Sequence, residues 1–144
     1  MFELEAENID IAIGICTKNC EDTIADVIKT ADLGLKEFFP EKKSLIIVSD
    51  LSSDRTEQNA KSVKTCSDFF FTRQIGRPGK GNGVKTILLA AKQTGAKAVA
   101  LVDGDLTSIK PEWIRALVEP VLMGNDLAVP FYKRHRCDSV ITNH

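Results

Sequence analysis

Short apolar runs that each end in a polar loop alternate with stretches of helical periodicity along most of this chain. That alternation leaves few folds open. Residues 9–15, Ile-Asp-Ile-Ala-Ile-Gly-Ile, alternate in polarity and are rich in β-branched residues. They read as a first strand with Ile9, Ile11, Ile13 and Ile15 on one face. Glu21 and Asp22 suit the first turn of a helix, where acids meet the positive end of the dipole. Ile24, Val27, Ile28, Ala31 and Leu35 carry its period to about Phe38. Leu45–Val48 is a second strand, and a helix capped by Ser53 or Asp54 follows from Arg55 to about Lys64. Asp68–Thr72 is a third strand. A helix from Val84 to about Thr94 stops at Gly95, and Lys97–Val102 is a fourth strand. Pro111 opens a last helix, through Trp113, Ile114, Leu117, Val118 and Val121 to Gly124, and Leu127–Val129 reads as a short fifth strand. Strand and helix in regular exchange predict an α/β protein: a three-layer α/β/α sandwich on a largely parallel, Rossmann-like sheet with right-handed crossovers. There are no repeats and no internal linker, so residues 1–144 form one domain.

In such a sheet the loops after the strands share one edge, and ligands bind there. Four of them carry Thr17 and Asn19, Asp50, Lys80 among its glycines, and Asp103 with Asp105. The last is the most pointed. The run Val99-Ala-Leu-Val-Asp-Gly-Asp105 ends a buried strand in two carboxylates, hard oxygen ligands one residue apart that can reach one divalent cation. Asp and Gly also suit a plain polar turn, so the pair alone does not decide. Gly79-Lys-Gly-Asn-Gly83 has neither the Walker spacing nor the dinucleotide fingerprint. Ahead of a helix it can still bring backbone N–H groups and an ammonium to phosphate, or serve as a simple connection.

Charge distribution says more than the net charge of −1, which gives no general reason to bind nucleic acid. Phe69 to Val102 contains no acid but six bases: Arg73, Arg77, Lys80, Lys85, Lys92 and Lys97. A positive stretch running straight into two aspartates suits a polyanion accompanied by a metal ion. Lys92 and Lys97 are read as solvating a helix end and a strand start. No apolar run nears the roughly 18 residues of a membrane span, and the acidic start of the chain does not resemble a secretory leader. The four cysteines, Cys16, Cys20, Cys66 and Cys137, make no C-x-x-C pair, so zinc is disfavoured and reduced thiols in the cytoplasm are expected.

The motifs in this order resemble the nucleotide-diphospho-sugar glycosyltransferases of the GT-A fold, of the family-two type. The segments are Ile15-Cys-Thr-Lys-Asn-Cys-Glu-Asp-Thr-Ile24, Val48-Ser-Asp-Leu-Ser-Ser-Asp-Arg-Thr56, Gly79–Gly83 and Val102-Asp-Gly-Asp-Leu106. Asp105–Ile114 and Tyr132–Thr142 are similar to the retaining branch that includes glucosyl-3-phosphoglycerate and mannosylglycerate synthases. The resemblance implies roles. Asp50 would meet the nucleobase, with the loop of Thr17 and Asn19 beside it. Lys80, with Gly81, would contact the nucleotide or its phosphates. Asp103 and Asp105 would hold Mg2+ or Mn2+, Asp105 directly, and His135 would complete the metal site. Arg134 and Arg136 would meet the diphosphate or a small anionic acceptor. A surface imidazole and solvated charges remain the alternatives for that basic turn. Cys16 and Cys20 depart from the pattern, which has proline and glutamate there. Catalysis would rest on Asp105 and Lys80, because cleaving a sugar–diphosphate bond leaves negative charge for a cation to offset. Inversion would require a carboxylate base, which in the family normally lies beyond the point where this chain stops; retention needs no such base, in agreement with the finer resemblance. The family continues well beyond His144, so this chain is expected to lack the acceptor-binding part, to expose apolar surface and to self-associate. A non-catalytic nucleotide-sugar-binding fragment is the second reading. A nucleotidyltransferase is the third, disfavoured because residues 16–20 are not a Gly-rich basic loop.

Overall fold

A computed structural model describes residues 2–124 of the chain together with the paired segments 132–133 and 139–140. Four strands, β1 (Ile11–Thr17), β2 (Ser44–Asp50), β3 (Asp68–Arg73) and β4 (Ala98–Asp103), form one sheet in the order β3-β2-β1-β4. Every pairing in it is parallel. Helices α1 (Ile24–Phe38), α2 (Thr56–Lys61) and α3 (Lys80–Thr94) fill the crossovers, and α4 (Pro111–Leu122) follows β4. Two further short strands, β5 (Tyr132–Lys133) and β6 (Ser139–Val140), pair antiparallel with each other. The expected strand Leu127–Val129 and the expected site residues Arg134, His135 and Arg136 lie outside the described residues.

Strand parity divides the core in two. Ile11, Ile13 and Ile15 of β1, with Ile46, Val48, Ala98, Ala100 and Val102, face one way and pack on α1, α2 and α4. Ala12, Leu45 and Ile47 face the other way, onto Ile87, Ala90 and Ala91 of α3. This is the three-layer α/β/α sandwich that the alternation predicts. β1 and β2 are sealed between helices on both faces, which is why they read as near-continuous apolar runs. α1 and α4 cross closely at Gly34, where a Cβ would stand 2.7 Å from Ile114 Cγ1.

Several boundaries differ from expectation. Ile9 does not share the face of Ile11; it packs in the α3-side core, because the chain bends at Asp10, just before β1, and breaks the alternation between the two. α1 begins at Ile24, not at Glu21 or Asp22. The N–H groups of Cys20 and Glu21 are committed instead to Thr56 Oγ1 and Asp54 Oδ2. α2 ends at Lys61, three residues short of Lys64. α3 starts at Lys80, four residues before Val84. Gly79 (φ +142°) makes the break, so Gly81 and Gly83 lie inside the helix, in its first turn.

Candidate functional site

The carboxyl ends of all four strands meet at one edge, and the sheet register decides which side chains meet there. Thr17, Asp50 and Arg73 are successive partners across β1, β2 and β3. They form one rung on the α1 side of the sheet. Ser49, Cys16 and Asp103 are successive partners across β2, β1 and β4, one residue earlier, and so face α3.

On the α1 side Asp50 is the hub. Its carboxylate is 0% exposed. Oδ1 accepts hydrogen bonds from Thr17 Oγ1 and Ser52 Oγ, each at 2.6 Å, and Oδ2 accepts from Arg73 Nη1 at 2.7 Å. Arg73 Nη1 also donates to the Ser52 carbonyl at 2.9 Å. The loops after β1 and β2 are then sewn together. Asn19, at a left-handed φ of +54° that asparagine tolerates, donates its N–H to Ser52 Oγ at 2.7 Å. Its Oδ1 accepts from Ser53 N–H at 3.0 Å. Asp54 accepts from Thr56 N–H, and Thr56 Oγ1 accepts from Cys20 N–H. Burial opposes the charged form of Asp54, but the hydrogen bonds it accepts from the Thr56 hydroxyl, Thr56 N–H and Glu21 N–H outweigh it and hold its carboxyl below the usual value. A carboxylate satisfied in this way stays ionised without a metal.

The α3 side is open and charged. Lys80, the first residue of α3, places Nζ 2.5 Å from Asp103 Oδ1 at the end of β4. The Lys80 side chain is 66% exposed and that of Asp103 41%. Partial burial works against the charge on Lys80, yet its bond to Asp103 prevails and raises its pKa. Asp105 is exposed and makes no side-chain hydrogen bond or ion pair among the described residues. Gly104 between the two acids is buried. A Cβ there would come within 2.6 Å of Thr17 Cγ2 and 3.2 Å of the Cys16 carbonyl oxygen. The glycine is therefore required for room beside β1. Its N–H donates to that same carbonyl at 2.9 Å, and its own carbonyl accepts from Thr23 Oγ1 at 2.8 Å. Both aspartates are thus presented on a turn fastened at its middle.

Between the two sides lies a cavity of about 310 Å³. Of the residues singled out in the sequence, Thr17, Lys80, Asp103 and Asp105 line it, together with Cys16 and Cys20. Asn19, Asp50 and Gly81 sit at the same edge but do not line it. Gly79 and Gly83 of the glycine stretch line it too, and Lys18, Ser49, Leu51 and Gln74 line it without having been given a role. Strand parity could have found Ser49, which follows Leu45 and Ile47 on the α3 face. Its hydroxyl is buried and unpartnered, close beneath Gly83 and Cys16. Burial pushes the Cys16 thiol up to about 11, with Lys80 opposing and Asp103 adding to the rise. Cys20 is also raised, chiefly by burial. Protonated thiols are poor metal ligands, so the available donors here are the carboxylate oxygens. Among the described residues no three His, Cys, Asp or Glu side chains converge on one point. Asp103 already accommodates a cation, the Lys80 ammonium. Two carboxylates with room for phosphate and water are the donor set that Mg2+ or Mn2+ accepts. A larger cleft of about 750 Å³, bordered by Glu5, Lys43, Asp68 and Phe70, lies at the opposite end of the strands. That end of a parallel sheet is not where α/β folds bind ligands.

Residues 12–144 match the family model described as Glycosyl transferase family 2. The chain belongs to that family. Solved structures of similar form are glucosyl-3-phosphoglycerate synthases of Mycobacterium tuberculosis. One, in complex with Mn2+, UDP and phosphoglyceric acid, is 26% identical with a TM-score of 0.60, over 81% of this chain and 40% of that one. Another, with Mn2+ and UDP-glucose, is 25% identical with a TM-score of 0.62, over 81% and 40%. Among curated proteins, mannosylglycerate synthase of Rhodothermus marinus is 34% identical over 67 residues, which are 46% of this chain and 17% of that protein. This family-two chain therefore has the sheet of GT-A glycosyltransferases and spans well under half the length of these relatives. No helix among its described residues is long and apolar enough to cross a membrane.

Proposed function

We propose that this chain forms the donor-binding part of a glycosyltransferase that moves a sugar, with retention, from a nucleoside diphosphate to a small anionic acceptor. The observation that carries the reading is the gathering of Lys80, Asp103 and Asp105 around one cavity at the carboxyl edge of the sheet. UDP is the first nucleotide to test, because similar structures hold UDP or UDP-glucose with Mn2+.

In this reading the base lies against the wall that Thr17, Asn19 and Asp50 build. Asp50 and Asn19 act through the loops they hold, since their oxygens are engaged within the protein. Lys80 reaches the diphosphate from the start of α3, with Gly81 letting the backbone come close. Asp103 and Asp105 hold the divalent cation, which as a Lewis acid offsets charge on the leaving diphosphate. When the bond from the anomeric carbon to that diphosphate breaks, Lys80 stabilises the departing oxygens and the turn fixed by Gly104 keeps both carboxylates in place. Arg134 and His135 are assigned to the acceptor or diphosphate and to the metal, on the resemblance alone. We read residues 1–144 as a single donor-binding domain whose acceptor-binding part is not in this chain, in a cytoplasmic, self-associating protein.

The test is thermal stabilisation. UDP or GDP with Mn2+ raises Tm, and Asp105→Asn abolishes the rise while leaving the unliganded Tm in place. No shift with any nucleoside diphosphate sinks the reading. The chain's reach over only 40% of its structural relatives favours, as a second reading, binding without transfer. Release of UDP from UDP-glucose by this chain excludes it.

A further inference from the structure

Lys80 and Asp103 are each suited to a different part of one ligand, and in the structure they hold each other. Their contact, at 2.5 Å, joins the first residue of α3 to the last residue of β4 across the mouth of the cavity. We infer that Lys80 is a tethered cation that occupies Asp103 until a nucleoside diphosphate draws it away, so that nucleotide and divalent cation each make room for the other. The inference rests on the nucleotide-sugar reading above.

The exchange is physically cheap. The Lys80 side chain is largely exposed and that of Asp103 is partly so, and an ion pair open to water is held weakly. Nothing stands within 4 Å of a Cβ built on Gly79 or Gly81, so the backbone on both sides of Lys80 is uncrowded. A diphosphate carries more charge and more acceptor oxygens than one carboxylate, so it wins the ammonium. Asp103 is then uncovered beside Asp105, which has no competing partner among the described residues. A metal ion arriving alone meets an Asp103 already neutralised. A nucleotide arriving alone meets a Lys80 already paired. Arriving together, each releases the group the other needs. Such coupling is reciprocal: the factor by which UDP tightens Mn2+ equals the factor by which Mn2+ tightens UDP.

The test titrates Mn2+ binding by the electron paramagnetic resonance of the free ion, first without nucleotide and then with saturating UDP. Three variants are compared with the wild type at one ionic strength. Lys80→Met binds Mn2+ alone about two- to fivefold more tightly than wild type, the range expected for freeing one partner of an exposed pair. UDP then tightens Mn2+ by a correspondingly smaller factor. Lys80→Arg retains the wild-type pattern. Lys18→Met removes an equal charge from the lining of the same cavity and leaves Mn2+ affinity close to wild type. Unchanged Mn2+ affinity in Lys80→Met, or an equal gain in Lys18→Met, overturns the inference while UDP·Mn2+ binding and the proposed function stand. Failure of the wild type and all variants to bind UDP with Mn2+ removes the nucleotide reading itself, and the exchange with it.

Discussion

The two sides of the cavity satisfy charge in opposite ways. On the α1 side Asp50 is sealed, and three side-chain donors meet its two oxygens. On the α3 side Asp103 has one ammonium, Asp105 has no side-chain partner among the described residues, and water reaches both. A buried carboxylate with all its bonds made is a rigid part, because moving it leaves several groups unpaired at once. An exposed pair can exchange partners at little cost. One wall is therefore a template and the other a grip, and the same residue type, aspartate at a strand end, serves both.

This contrast can be broken by mutation. The largest effect is expected for Asp50→Ala, which strands buried hydroxyls of Thr17 and Ser52 and frees Arg73. Urea unfolding should show a loss of about 2–4 kcal/mol. A loss no greater than that of Asp103→Ala would erase the distinction between the walls. Gly104→Ala comes next. Its Cβ meets β1 backbone as well as the Thr17 methyl, so about 1–3 kcal/mol is lost, and nucleotide binding falls with it. Asp103→Asn should stay within about 0.5 kcal/mol of wild type, as exposed substitutions do, while Mn2+-dependent binding of UDP disappears. The smallest effect is in acid. The folded carboxyl of Asp54 titrates below its ordinary value of 3.8. Its stabilisation is present above that value and is lost as the pH falls through the lower, folded one. In scans of Tm against pH below 4, Asp54→Asn should therefore have a shallower slope than wild type. An identical slope would show that the loop-to-loop bonds of Asp54 do not matter.

Much of the frame was legible in the primary structure. Four strands, their intervening helices and the convergence of Thr17, Lys80, Asp103 and Asp105 follow from alternation and from the rule that parallel strands share an exit edge. What was not legible depends on register. That Asp50 meets Thr17 and Arg73 is a fact about partners 33 and 23 residues away, and periodicity carries no information on them. Asn19 was expected beside the nucleotide; that its N–H and Oδ1 meet Ser52 and Ser53 across the neighbouring loop is again a matter of distant partners. The start of α3 was missed because glycines weaken helical propensity, although a first turn has no upstream carbonyls to lose. Ile9 followed the alternation on paper and left it in space, because a bend at Asp10 separates it from β1.

The rungs at the cavity carry one more consequence. Side chains on a strand alternate faces with every residue, so a single residue inserted into β2 before Ser49 would carry Asp50 over to the α3 side and bring Ser49 to the α1 side. Neither wall would survive, although no site residue had been replaced. A substitution in a loop of this protein disturbs the bonds of one residue, whereas its strands must be kept to length: the address of each functional group is a count from the start of its strand.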